Sequence, residues 1–133
     1  MRYRARIGRT CRPAHFDEWP PRDSKNVIYY LHSGGRANSK FGDGWLDPDA
    51  PIQETAEIFI YDPATPIPSL GGHSCCFEAV TPMGPADQHL AEISRMILVY
   101  TTEPLRKDIL LVRDAFVELF AASSAIDTDF TAC

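Results

Sequence analysis

The most reactive side chains of the sequence gather in one stretch, Gly72-His73-Ser74-Cys75-Cys76-Phe77. A serine in the spacing G-x-S-x-G sits on a strained strand-to-helix turn, which exposes its hydroxyl as a nucleophile. Here Cys76 occupies the second glycine position, a proline-rich stretch precedes it and no helix-starting pattern follows. Ser74 is therefore expected to be a loop hydroxyl and not a catalytic nucleophile. His73, Cys75 and Cys76 are crowded, and zinc closes with about four ligands at compatible spacing, so neither a metal nor another cofactor is expected. Two of the four cysteines (Cys11, Cys75, Cys76, Cys133) are adjacent and two lie near the ends, which describes free thiols and not a disulfide framework. The histidines His15, His32, His73 and His89 are scattered and are expected to be surface or hydrogen-bonding residues; no Ser-His-Asp set assembles from them.

Other polar clusters also read as structure. Asp43, Asp47 and Asp49 do not follow the alternating ligand spacing of a calcium loop with its closing glutamate, and are expected to form turns. Gly34-Gly35-Arg36 and Gly42-Asp43-Gly44 lack the lysine and helix start of a phosphate loop. The aromatics Trp19, Tyr29, Tyr30, Trp45, Phe59 and Tyr61 either stack on a sugar or fill a core. Spaced through apolar runs, they are expected in the core.

The elements that would carry these residues are short. Eleven prolines and eight glycines argue against a helical bundle. Turn signals at 20–21, 33–35, 42–44, 47–49, 63–68, 71–72, 82–85 and 103–104 separate runs of strand length and composition at 27–31, 58–61 and 97–100. Arg2, Arg4 and Arg6 alternate with Tyr3, Ala5 and Ile7, the pattern of a strand with one solvated face. This organisation predicts an all-β sandwich. Residues 105–120 are ambiguous: Leu105, Ile109, Val112, Phe116 and Leu119 recur at helical spacing, whereas 117–121 alternate as a strand does.

At 133 residues and 23% charged residues, the chain has the size of one domain. Residues 1–25 hold seven basic and three acidic residues, and the rest is strongly acidic, bringing the net charge to −5. The strand-like alternation of the arginines argues against a nucleic-acid arm. No apolar run reaches the roughly 18 residues needed to span a membrane, and no leader-like apolar stretch follows the first arginines. Neither nucleic acid nor membrane is an expected partner, and the expected compartment is cytoplasmic.

Seven segments occur in an order and spacing that resemble the C-terminal domain of the CocE/NonD hydrolases. They are DEWPP (17–21), YYLHSGGRANS (29–39), FGDG (41–44), YDPATPIPSLGG (61–72), GPADQ (84–88), ILVYTTEPL (97–105) and SSAIDTDFTA (123–132). That family includes cocaine-esterase-like enzymes and the related X-Pro dipeptidyl-peptidases. The resemblance covers nearly the whole chain. It departs from the pattern at Cys11, where tryptophan is common, at Arg4 and Arg6 in a usually apolar strand, and at Arg113-Asp114 in place of a glycine-containing turn.

The resemblance implies a galactose-binding-like jelly-roll β-sandwich over residues 1–133, incomplete at its C-terminal end, with strands at 109–112 and 115–121. It implies a non-catalytic fragment of a serine hydrolase, acting on esters or amides or as a dipeptidyl-peptidase in the complete enzyme. The catalytic serine, aspartate and histidine belong to an α/β-hydrolase domain that this chain lacks. That domain is the implied partner, and small ester or amide substrates enter only in its company. By the same likeness Cys76 and Phe77 are candidate substrate-proximal residues, with Phe77 offering an apolar wall. The competing reading is a stand-alone carbohydrate-binding β-sandwich module.

Overall fold

The computed structural model describes residues 3–7, 12–68, 70–72, 83–84, 86–112 and 114–132. Their regular elements are four strands and one short 3-10 helix, an all-β arrangement. The contacts divide the chain into two compact units, Met1–Lys25 with Asp108–Cys133, and Asn26–Lys107.

In the first unit, β1 (Tyr3–Ile7) pairs antiparallel with β2 (Arg12–Phe16), with Tyr3 opposite Phe16 and Ile7 opposite Arg12. The alternating arginine segment thus forms the strand its period predicts. Pro13, which cannot donate to a ladder, is opposite Arg6 in this sheet, where no third strand among the described residues needs its missing N–H. After β2, the Phe16 and Trp19 rings meet edge to face, 6.2 Å apart. Within 108–133 the described residues form neither the strands nor the helix that the sequence allows. An extended segment becomes a strand only when a neighbour takes its backbone groups. Here the side chains are uncovered as well, with Phe116 and Phe120 at 89% and 101% exposure.

The second unit is organised by β3 (Tyr30–His32) and β4 (Trp45–Asp47), antiparallel with Leu31 opposite Leu46 and His32 opposite Trp45. Only the last part of the run at 27–31 enters a strand. Between the two strands the chain folds back through Asp43. Its carboxylate accepts from the Arg36 N–H at 3.1 Å, and its own N–H donates to the Arg36 carbonyl at 3.1 Å. The run at 97–100 lies across this loop and β4: Val99 donates to the Ala37 carbonyl at 2.9 Å, and Leu46 to the Thr101 carbonyl at 3.1 Å. These are isolated bridges, at Asn38 with Leu98 and Trp45 with Thr101, and not the continuous strand expected. Gly44 is required where they cross, because a Cβ there would overlap the Val99 carbonyl oxygen. The 3-10 helix, Gln88–Ile93, starts at Asp87, whose carboxylate caps the His89 N–H at 3.0 Å.

The aspartates build turns as expected. Asp47 accepts from the Asp49 N–H at 2.8 Å, and Asp62 accepts from Ala64 at 2.9 Å in the YDP turn. The aromatics correct their expectation. Trp19, Tyr29, Trp45, Phe59 and Tyr61 are exposed and Tyr30 is half-buried. Among the described residues from His15 onward the buried apolar side chains are Ala37 and Ala91, which make no layer for the aromatics to pack into.

Candidate functional site

Chemistry-bearing groups converge where β3 ends in the His32-Ser33-Gly34-Gly35 turn. The turn reverses the chain beside residues 49–57, bringing Glu54 and Glu57 to it. His32 is buried; its Nδ1 lies 2.5 Å from Glu54 Oε1 and its Nε2 lies 2.9 Å from the Asp49 carbonyl oxygen. The second Glu54 oxygen accepts from the Ser33 N–H at 2.8 Å. Glu57 Oε1 accepts from the Ser33 hydroxyl and from the Ala37 N–H. Trp45, opposite His32 in the ladder, stacks its ring on the imidazole with centroids 5.2 Å apart.

The electrostatics follow from this geometry. Both His32 nitrogens face acceptors, which a doubly protonated ring satisfies best. The Glu54 hydrogen bond raises the His32 pKa above 6.5, against the opposing effect of burial, with help from the Asp49 carbonyl and the Asp47 charge. Glu54 moves below 4.5, chiefly because the Ser33 N–H favours its charged form and then because His32 does. Tyr100 is raised above 10.0 by burial and then by the charges of Glu57, Glu54 and Asp43.

Ser33, His32 and the two glutamates include every residue type of an acyl-transfer triad, but not its connectivity. The Ser33 hydroxyl gives its proton to Glu57, and His32 presents no free nitrogen lone pair to it. This arrangement ties backbone to backbone and activates no nucleophile. Among the described residues no group of three or more His, Cys, Asp or Glu side chains is placed to hold a metal. Next to the cluster lies an open groove of about 1020 Å³, lined by Arg36, Phe41, Met96, Ile58 and Ile60 among others.

Of the residues singled out from sequence, Ser74, Cys76 and Phe77 lie outside the described residues, as do His73 and all four cysteines. The described chain brackets them: Gly72 and Gly84 exchange backbone hydrogen bonds at 2.8 and 2.9 Å. Both have positive φ, 87° and 91°, which suits glycine at each. His15 and His89 are exposed, with the Lys40 ammonium donating to the His89 ring, as expected of surface histidines. Sequence reasoning did not single out the union of His32 and Ser33 with Glu54 and Glu57. The partners lie some twenty residues apart, and the one local signal was the Ser33-Gly34-Gly35 turn.

The described elements define an all-β segment whose conspicuous polar cluster is a tether. No family model matches the chain. Over 115 residues, 86% of its length, it is 38% identical to a cocaine esterase of Rhodococcus sp. (strain MB1 Bresler). The chain is thus similar over most of its length to a part of a CocE/NonD-family esterase, the resemblance that the ordered segments from DEWPP to SSAIDTDFTA imply. It spans 20% of the length of that esterase. Among the described residues no helix is long and apolar enough to cross a membrane.

Proposed function

We propose that this chain is the non-catalytic, C-terminal jelly-roll portion of a serine hydrolase of the CocE/NonD family. It contributes β-structure and a wall of the substrate cleft to an enzyme that cleaves esters or amides, dipeptidyl-peptidase substrates included. The observation that carries this reading is the 38% identity, extending over most of the chain but over only 20% of the esterase. Two structural facts support it. The Ser33 and His32 groups are committed to Glu57, Glu54 and the Asp49 carbonyl, so they offer no acyl-transfer pair. Large apolar side chains such as Ile58, Ile60, Phe116 and Phe120 are exposed, which suits a segment that buries them against another domain. The partner in this reading is an α/β-hydrolase domain, and Cys76 and Phe77 lie beside its substrate.

The test replaces the matching segment of the Rhodococcus cocaine esterase with this chain. The chimera is expected to hydrolyse esters, while the chain alone neither turns over an ester nor reacts with a fluorophosphonate probe. In the chimera, Phe77→Ala is expected to change KM or substrate preference by about threefold to tenfold, the effect of shortening one apolar pocket wall. Ester turnover by the pure chain, abolished by Ser74→Ala, would overturn the reading. Unchanged kinetics across several esters would remove Phe77 from the cleft. Glycan-array binding by the chain alone would favour a carbohydrate-binding module instead.

A further inference from the structure

Residues 49–60 are attached to the rest of their unit in an unusual way. None of the backbone-to-backbone hydrogen bonds among the described residues involves 48–61. The segment is held by the ends of side chains. Glu54 takes His32 and the Ser33 N–H, and Glu57 takes the Ser33 hydroxyl and the Ala37 N–H. The Asp49 carbonyl accepts from His32 Nε2, and Asn38 Nδ2 donates to the Ile58 carbonyl at 3.2 Å. Of these fastenings only the Asn38 bond is independent of a titratable side chain. The far end of the segment, Ile58 to Ile60, lines the open groove together with Arg36, Ile93, Arg95 and Met96.

We propose that residues 49–60 are a strap fastened by the Glu54 and Glu57 carboxylates and loosened at Glu54 when the His32–Glu54 ion pair is discharged. Asp47 on β4 acts on His32, and the charges of Glu54, Glu57 and Asp43 all act on Tyr100 in the crossing segment. Asp43 is itself engaged by Arg36, 3.6 Å away, and the cation facing Glu54 is His32, 2.5 Å away. Protonating Glu54 removes the partner of His32, and deprotonating His32 removes the cation facing Glu54. The strap is therefore tightest in mildly acidic solution, where both are charged, and loosens on either side. This device rests on the geometry of the second unit and holds whether or not the proposed enzymatic role is right.

Protease cleavage within 49–60 of this chain, carried in the esterase chimera, reads the strap, each rate being divided by that of a free peptide of residues 47–62 under the same conditions. Cleavage within 97–101, held by backbone bonds, serves as the internal reference. At about pH 5.5 the strap is expected to be cut roughly tenfold more slowly than the peptide, and at about pH 3 at nearly the peptide rate, with the reference segment still protected. Glu54→Gln is expected to abolish the protection at the higher pH, whereas Asn38→Ala, which touches no titratable fastening, keeps the pH dependence. Equal protection at both pH values, loss of the strap and the reference segment together, or a Glu54→Gln chain cut like the parent would each overturn the proposal.

Discussion

At the scale of single residues, His32 shows how a histidine at the end of a strand has its charged form favoured. Glu54 and the Asp49 carbonyl occupy its two nitrogens, and Trp45 covers one face of the ring. The pKa shifts set the sign of the linkage. His32, raised above 6.5, stabilises the fold fully below that value, and this contribution is lost as pH rises through its folded pKa. Glu54, lowered from 4.5, stabilises above that value, and its contribution is lost as pH falls through its folded pKa. Followed by NMR, the His32 ring is expected to titrate with a midpoint above 6.5, and Glu54→Gln is expected to bring it down. A midpoint at or below 6.5 in the parent chain would contradict the ion pair.

Among elements, the crossing of residues 97–101 over β4 is the most closely specified. Backbone bonds from Leu46 and Val99 set its position, and Gly44 leaves room for the Val99 carbonyl. Gly44→Ala forces that backbone apart and is expected to cost about 1–3 kcal/mol of stability, the usual penalty for overpacking. Gly72→Ala meets no neighbouring atom, but its φ of 87° strains any side chain, so a milder loss of about 1 kcal/mol is expected there. Urea unfolding of the chimera carrying each change checks the ranking. A neutral Gly44→Ala would mean that the crossing is not tightly packed.

For the whole molecule, the decisive feature is how little apolar surface the described residues bury. Ala37 and Ala91 are small, while Ile52, Phe41, Ile58, Ile60, Phe116 and Phe120 are exposed. Burying one large apolar side chain contributes about 1.5–3 kcal/mol, and a stable domain has a margin of only about 5–15 kcal/mol. The described strands also form only two-stranded sheets, whose outer edges invite pairing with other chains. The 133-residue chain by itself is expected to associate and to unfold without a sharp transition, and its place in the esterase chimera is expected to cure both. Size-exclusion chromatography and a thermal melt decide this, and a monomer with one sharp transition would contradict it.

Local chemistry settled what could be read without coordinates. The alternation at Tyr3 to Ile7 specified β1, the aspartate and proline spacing specified the turns at Asp47 and Asp62, and seven ordered segments specified the family resemblance. These depend on neighbours in sequence, where backbone sterics and side-chain capping act directly. The runs at 58–61, 109–112 and 115–121 have strand composition without a strand ladder among the described residues, because pairing belongs to the partner and not to the run. Only the tertiary structure joined His32 and Ser33 to Glu54 and Glu57. An ion pair depends on distance in space, and a period read along the chain carries no information about which residue twenty positions away will arrive beside a buried imidazole.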